Sequence, residues 1–184
     1  MKSNVETAEV AQPYAQALMS IAKSQNLTEE FGEDARALLN LLKNSAPLQN
    51  LIDNPFIKPD QKKAVITQIL GDGANPYLRK FLQLLVDKRR IFFLEQILQQ
   101  YLTLLRELNQ TVLAEVTSAV PLTEAQQQAV KEKVLSITNA RQVELEINTD
   151  RDLIGGLIIK VGSQVIDASL RGQLRRLSLR LSSS

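Results

Sequence analysis

The chain has 184 residues, 44% of them hydrophobic, and a formal net charge of +2. It contains no Cys and no His, which excludes disulfides and removes the commonest general base and metal ligand. Lys and Arg number 13 against 12 Asp and Glu up to Gln110, and 9 against 8 beyond it. Neither part is therefore strongly basic, as a nucleic-acid-binding body would be, and the length fits one large domain or two small ones.

The N-terminal region predicts neither a targeting segment nor a membrane span. The first nine residues carry two Glu and no apolar core, unlike a secretory signal or a transit peptide. The longest uncharged run, Val10 to Ala22, is too short to cross a bilayer. We therefore expect a soluble chain, or one attached to a membrane only through partners.

Apolar residues recur at helical spacing up to about Leu108 and predict six helices. The first stripe consists of Val10, Tyr14, Leu18 and Ile21. Capping residues and prolines mark four later starts, at Asn26, Pro47, Pro59 and Asn75. Residues 1–108 are thus expected to form a compact six-helix bundle.

After Asn109-Gln110 the spacing of apolar residues changes to that of strands. A capping box at Thr123 and Gln126 predicts one helix, and Gly162-Ser163 suits a two-residue hairpin turn. The predicted order is strand, helix, strand, strand, strand, helix. Residues 111–184 should therefore form a small α+β domain, which makes the fold mainly α with a smaller α+β part.

The C-terminal segment is the most informative part of the chain, and it reads L-I-G-G-L-I-I-K-V-G-S-Q-V-I-D-A-S-L-R-G-Q-L-R-R-L from Leu153 to Leu177. Gly155-Gly156 permits close backbone approach or a bulge where a strand begins, and Asp167 or Ser169 can cap the next helix. That helix has an apolar stripe surrounded by arginines. The stripe consists of Leu170, Leu174, Leu177 and Leu181. Such a stripe can bind a partner protein. The alternative is that the terminal helix packs on its own sheet.

A second pattern, Pro13-Tyr14-Ala15-Gln16-Ala17-Leu18, lies in the first predicted helix. Small Ala residues let another helix approach closely, and Tyr14 offers a flat apolar face with a polar tip. The alternative is that Tyr14 and Leu18 simply pack inside the bundle.

Together these segments resemble the delta subunit of F-type ATP synthases, the relative of the mitochondrial oligomycin-sensitivity-conferring protein. The C-terminal segment matches the family signature in uninterrupted register, and the second pattern resembles the P-Y-A-x-A-L element that opens most delta subunits. The resemblance implies a non-catalytic stator subunit of the peripheral stalk. It would link the catalytic head to the membrane sector and resist rotation during ATP synthesis.

The resemblance also implies two protein partners. The first and fifth helices would form a groove for the N-terminal segment of an α subunit. The expected groove residues are Tyr14, Ala15 and Leu18 on one wall, and Leu84 and Lys88 near the other. The C-terminal domain would meet the C-terminal helices of the b-type stalk subunits. Its signature and contact residues are Gly155, Gly156, Asp167, Ser169, Leu170, Leu174 and Leu177.

The groove assignment predicts that Leu18→Asp weakens head binding and leaves the bundle folded. The resemblance, with no transit segment, further implies a peripheral protein on the cytoplasmic side of a cyanobacterial thylakoid membrane or a bacterial plasma membrane. Contact with that membrane would be made only through the complex.

Two other classes of function stay open from the residues alone. A basic adaptor for RNA or the ribosome would fit the basic tail and the pI near 8.9, and would lose affinity steeply with salt. A hydrolase or transferase would need a buried carboxylate or Lys with a perturbed pKa. The paired carboxylates Glu29-Glu30, Glu33-Asp34 and Asp150/Asp152 do not mark one, and no P-loop motif occurs. Since the resemblance to the delta family outweighs both classes, we predict no catalytic residue, cofactor, metal site or nucleic-acid partner.

Overall fold

The computed structural model describes residues 4–71 and 73–175, with side chains from Glu9 onward. The chain separates into two compact units between Leu105 and Arg106. Residues 106–109, the last turn of the sixth helix, therefore belong to the second unit, in which Arg106 forms an ion pair of 3.2 Å with Glu144.

The N-terminal unit contains six α-helices, as expected from the sequence. They are α1 (Asn4–Gln25), α2 (Thr28–Asn44), α3 (Ala46–Asp53), α4 (Pro59–Leu70), α5 (Pro76–Asp87) and α6 (Leu94–Asn109), with a 3-10 turn at Ile91–Phe93 before α6. Each helix contributes an apolar stripe to one core, which includes Leu18, Phe31, Leu85, Ile97 and Tyr101. Burial of these side chains is the main stabilising contribution.

The boundary between α1 and α2 differs from the sequence expectation. Asn26 does not cap α2; it has a φ of 56° and ends α1 in the left-handed conformation, which Asn tolerates. The amide of Leu27 donates a 2.8 Å hydrogen bond to the Ala22 carbonyl, as in a Schellman ending. By contrast, Asn75 caps α5 as predicted, since its side chain accepts from the Tyr77 amide at 3.0 Å.

Two buried polar side chains tie helices of this unit together. Lys62 donates a 2.6 Å hydrogen bond to the Ile52 carbonyl at the end of α3, and burial lowers the pKa of this ammonium against the opposing effect of Asp53. The Tyr101 hydroxyl donates to the Thr28 carbonyl at 2.9 Å. The Lys62 bond satisfies a carbonyl in the last turn of α3, and the Tyr101 bond joins α6 to the first residue of α2.

The C-terminal unit is a four-stranded sheet with one covering helix, which confirms the predicted fold class and element order. The elements are β1 (Thr111–Ser118), α7 (Glu124–Ile137), β2 (Gln142–Thr149), β3 (Leu157–Val161) and β4 (Gln164–Asp167). A final helix, α8, is described over residues 170–175. The sheet order is β2-β1-β3-β4, with β1 and β2 parallel and the other pairs antiparallel.

Strand register explains the core of this unit. Val116 is paired with Ile147 on one side and Ile159 on the other, and all three face α7. Val130 and Val134 of α7 cover them. The predicted capping box starts α7, because Thr123 and Gln126 bond each other's backbone. The hairpin between β3 and β4 turns at Gly162-Ser163, as the sequence indicated.

Candidate partner-binding sites

A surface formed by α1 and α5 carries partly exposed apolar residues. The Tyr77 hydroxyl of α5 donates to Gln25 Oε1 of α1 at 3.2 Å. Gln25 lies four residues after Ile21, which lies seven after Tyr14, so these three share one side of α1. The bond therefore places α5 on the Tyr14 side of α1, where Tyr14 and Ile21 are only partly buried.

Helix α5 contributes a matching row. Tyr77, Leu84 and Lys88 follow one another at seven and four residues, so they share one side of the helix. Tyr77 and Leu84 are large apolar side chains in an exposed position, and Leu84 is 45% exposed. We call Tyr14, Ile21, Tyr77, Leu84 and Lys88 the α1–α5 surface.

Two of the five expected groove residues do not belong to this surface. Leu18 is only 1% exposed and Ala15 is fully buried, and both lie in the bundle core. The alternative of core packing is therefore the one that the structure supports for Leu18. The expectation that Leu18→Asp leaves the bundle folded is corrected, because this carboxylate would be placed in an apolar core.

Ile21 and Tyr77 were not assigned to the groove from the sequence. Ile21 was identified only as a member of the first apolar stripe. Its spacing of seven residues from Tyr14 was a usable signal, whereas the position of Tyr77 depends on how α5 packs on α1.

The Gly155-Gly156 pair lets the start of β3 approach the start of α8. Gly156 has a φ of 81°, and a Cβ there would collide with the Ala168 carbonyl and lie 2.8 Å from Ser169 Cα. The Gly155 carbonyl accepts a 3.0 Å hydrogen bond from the Leu170 amide. The predicted role of close backbone approach thus has a specific partner, the segment from Ala168 to Leu170.

Asp167 and Ser169 cap α8 together. One carboxylate oxygen of Asp167 accepts from the Ser169 amide at 2.9 Å and from its hydroxyl at 2.6 Å. The Ser169 hydroxyl in turn accepts from the Gly172 amide at 3.0 Å. Ser169 is buried, so these two residues position the helix, and the exposed residues Leu170 and Leu174 provide its apolar surface. Leu177 lies outside the described residues.

The titratable groups do not assemble into catalytic chemistry within residues 9–71 and 73–175. Burial and the neighbouring Glu30 and Glu33 carboxylates raise the pKa of Asp34, all on helix α2. Over the same residues, no cluster of three or more carboxylates could hold a metal ion. Among the described helices, none combines the length and apolar character needed to cross a bilayer.

These features define a class of protein: a two-unit protein with a helical unit and an α+β unit, each carrying exposed apolar residues. Residues 10–181 match the family model "ATP synthase delta (OSCP) subunit". The chain belongs to this family. It is accordingly a delta-type subunit of F-type ATP synthase, which is a structural and not a catalytic subunit.

Similar proteins cover the chain from end to end. ATP synthase subunit delta of Nostoc punctiforme is 72% identical over all 184 residues of both chains, and that of Trichormus variabilis is 75% identical over the same length. The protein of Synechocystis sp. is 56% identical over 98% of each chain. A chain in the structure of the Toxoplasma gondii mitochondrial ATP synthase hexamer is 25% identical, with a TM-score of 0.72 over 93% of this chain and 96% of that one.

Proposed function

We propose that the chain is a mechanical link whose two units hold different partners. Within the rotary enzyme, the N-terminal unit binds the catalytic head through the N-terminal segment of an α subunit. The C-terminal unit binds the C-terminal helices of the b-type stalk subunits. The complex lies on the cytoplasmic side of a thylakoid or bacterial plasma membrane, which this chain reaches only through its partners.

The observation that carries the head contact is the α1–α5 surface. It presents Tyr77 and Leu84 to solvent beside the partly buried Tyr14 and Ile21. Two parallel rows on adjacent helices suit an amphipathic helix that lays its apolar face between them. Lys88 at the end of α5 offers a cation to a carboxylate on the bound helix.

A link of this kind needs slow dissociation. The chain does no bond chemistry, and it transmits the reaction force that keeps the head from turning with the rotor. Each contact has to last for many turnovers, so the dissociation rate matters more than the association rate. We expect a total buried area of roughly 1,600 Å² or more at the head contact.

The head contact is tested by titrating the full chain with a peptide of the α-subunit N-terminal segment in a calorimeter. We expect Leu84→Asp to raise the Kd about tenfold or more, because it places a charge in the apolar groove, while the melting temperature by circular dichroism stays within a few degrees. Leu41→Asp is the matched control, since Leu41 is an exposed Leu of α2 in the same unit. If Leu84→Asp and Leu41→Asp bind the peptide with equal Kd, the α1–α5 surface is not its binding site.

A further inference from the structure

Ile154 has a backbone conformation that is unusual for its residue type. Its φ is 65°, and the Gly155 amide donates a 2.7 Å hydrogen bond to the Leu153 carbonyl across it, which closes a γ-turn. A β-branched residue with positive φ is a genuine outlier, and the γ-turn of this hand is rare and strained. Yet the Ile154 side chain is 71% exposed, so burial does not compensate for the strain.

The strained turn lies beside the apolar residues of α8. Gly155 follows Ile154 directly, and its carbonyl bonds the Leu170 amide. A Cβ built on Gly155 would lie 2.7 Å from Leu170 Cδ1, which shows how closely the turn and the helix approach. Leu170 is 46% exposed, and Leu174, one turn later on the same side, is 61% exposed. We call Ile154, Leu170 and Leu174 the Ile154 patch.

A row of positive charge runs beside the patch. Arg171 and Arg175 are exposed and are offset by one residue from Leu170 and Leu174, so the two rows run parallel along α8. No Asp or Glu follows Asp167 in the sequence, and Asp167 itself is engaged in the helix cap.

The loop that carries Ile154 has mixed charge. It contributes Asp150, Arg151 and Asp152, all exposed, and Asp150 accepts a hydrogen bond from the Asp152 amide. The loop thus adds no net positive charge of its own, and the basic side of the patch is the α8 side.

We infer that the Ile154 patch receives an amphipathic helix whose apolar stripe is flanked by carboxylates at four-residue spacing. This inference rests on the proposed contact with the stalk, and it names the chemistry that the contact recognises. Four residues of an α-helix rise about 6 Å, so such carboxylates keep step with Arg171 and Arg175 while the apolar stripe covers Leu170 and Leu174.

Charge complementarity and strain both favour this occupant. An anionic helix satisfies the arginine row, and its apolar face covers Leu170 and Leu174, which a phosphate backbone would leave exposed. Residues held in strained conformations cluster at binding sites, where the surroundings keep them in place. Gly would occupy this position without strain, whereas Ile presents an exposed apolar side chain to the partner.

The first test separates binding from folding. The full chain and its Ile154→Gly variant are titrated with the soluble part of a b-type stalk subunit. We expect Ile154→Gly to raise the Kd about tenfold or more without lowering the melting temperature, because Gly relieves the turn but removes the apolar contact. Val165→Thr is the control: Val165 is 62% exposed on β4, close to the hairpin turn. The control should keep the Kd of the parent chain, and an Ile154→Gly variant that also keeps it would overturn the inference.

The second test addresses charge. The double variant Arg171→Glu/Arg175→Glu is compared with the parent chain on two synthetic helical peptides that share a Leu stripe but carry Glu or Lys beside it. The parent should prefer the Glu peptide about tenfold or more at 0.05 M salt, and less at 0.5 M because salt screens exposed charges. The double variant should reverse the preference. Equal affinity of both chains for both peptides would overturn the inference.

The outcomes keep this inference apart from the proposed function. If the parent chain binds the stalk subunit, and if Ile154→Gly and the double variant, titrated with the same subunit, bind it with the parent's Kd, the stalk contact stands and the Ile154 patch is excluded from it. If the parent chain does not bind the stalk subunit at all, the proposed stalk contact and this inference both fail.

Discussion

Gly32 of α2 lies so close to Leu105 of α6 that a Cβ built on Gly32 would be 2.5 Å from Leu105 Cδ2. Gly32 is buried in the second turn of α2, and Leu105 is 1% exposed, so the leucine cannot move aside into solvent. The missing side chain is what lets the two helices approach.

Gly32→Ala should therefore destabilise the N-terminal unit. Ala gains about 1 kcal/mol of helix propensity over Gly, but a methyl group forced into a packed core costs typically 1–3 kcal/mol. We expect a net loss of about 1 kcal/mol in the free energy of unfolding, measured by urea titration. Gly73→Ala is the control, because nothing lies within 4 Å of a Cβ there. Equal stability of the two variants would contradict the packing argument.

Leu18→Asp should unfold the N-terminal unit. The side chain is 1% exposed, and an isolated carboxylate in an apolar core costs more than about 4 kcal/mol. Circular dichroism should show loss of the cooperative thermal transition of this unit. Ala17→Asp, at the adjacent exposed position, should leave that transition in place. A folded Leu18→Asp variant would show that Leu18 is not a core residue.

Stability at high pH should depend on Tyr101. Burial, and then the nearby Glu29 carboxylate, raise the pKa of Tyr101 to about 12. The pKa of an unfolded Tyr is about 10, so between pH 10 and 12 the unfolded state releases this proton before the folded state does. The stabilisation of the folded state by protonated Tyr101 is complete below pH 10. It declines as the pH rises from 10 to 12, by at most about 1.4 kcal/mol per pH unit.

The measurement for Tyr101 is a series of urea titrations from pH 9 to 12 on the parent chain and on Tyr101→Phe. The Phe variant loses the hydrogen bond to the Thr28 carbonyl and should be less stable at neutral pH by about 1 kcal/mol. Its free energy of unfolding should fall less steeply above pH 10. If the free energy of unfolding falls equally steeply with pH in both chains, the pKa of Tyr101 is not raised by burial.

Two glycines with positive φ should respond differently to the same substitution. Gly162 has a φ of 57° and nothing within 4 Å of a Cβ, so Gly162→Ala costs only the backbone strain, about 1 kcal/mol. Gly156→Ala adds a collision with the Ala168 and Ser169 backbone, so it should cost at least about 1 kcal/mol more. Thermal unfolding of both variants measures this difference. Equal melting temperatures would show that the backbone at Ala168 and Ser169 moves away from Gly156 without cost.

Much of the fold was predictable because its signals are local. The capping box at Thr123 and Gln126 and the turn at Gly162-Ser163 are set by residues within a few positions, and both occur as expected. The cap formed by Asp167 and Ser169 is local for the same reason.

Other features depend on contacts between distant residues and could not be predicted. Leu18 has the same apolar character whether it faces a partner or the core, and only helix packing decides between these positions. The strained Ile154 also gave no sequence signal, since Ile is a residue that normally avoids positive φ. The approach of Gly32 to Leu105 spans α2 and α6 and has no local signature.

A mechanical link has to hold its two partners at the same time. This property can be measured by analytical ultracentrifugation of delta-depleted catalytic head, the soluble part of the b-type stalk subunit and this chain. We predict one fast-sedimenting species that contains all three, and no association of head with stalk when the chain is omitted. Head and stalk that associate equally well without it, or binding of one partner that excludes the other, would contradict the account.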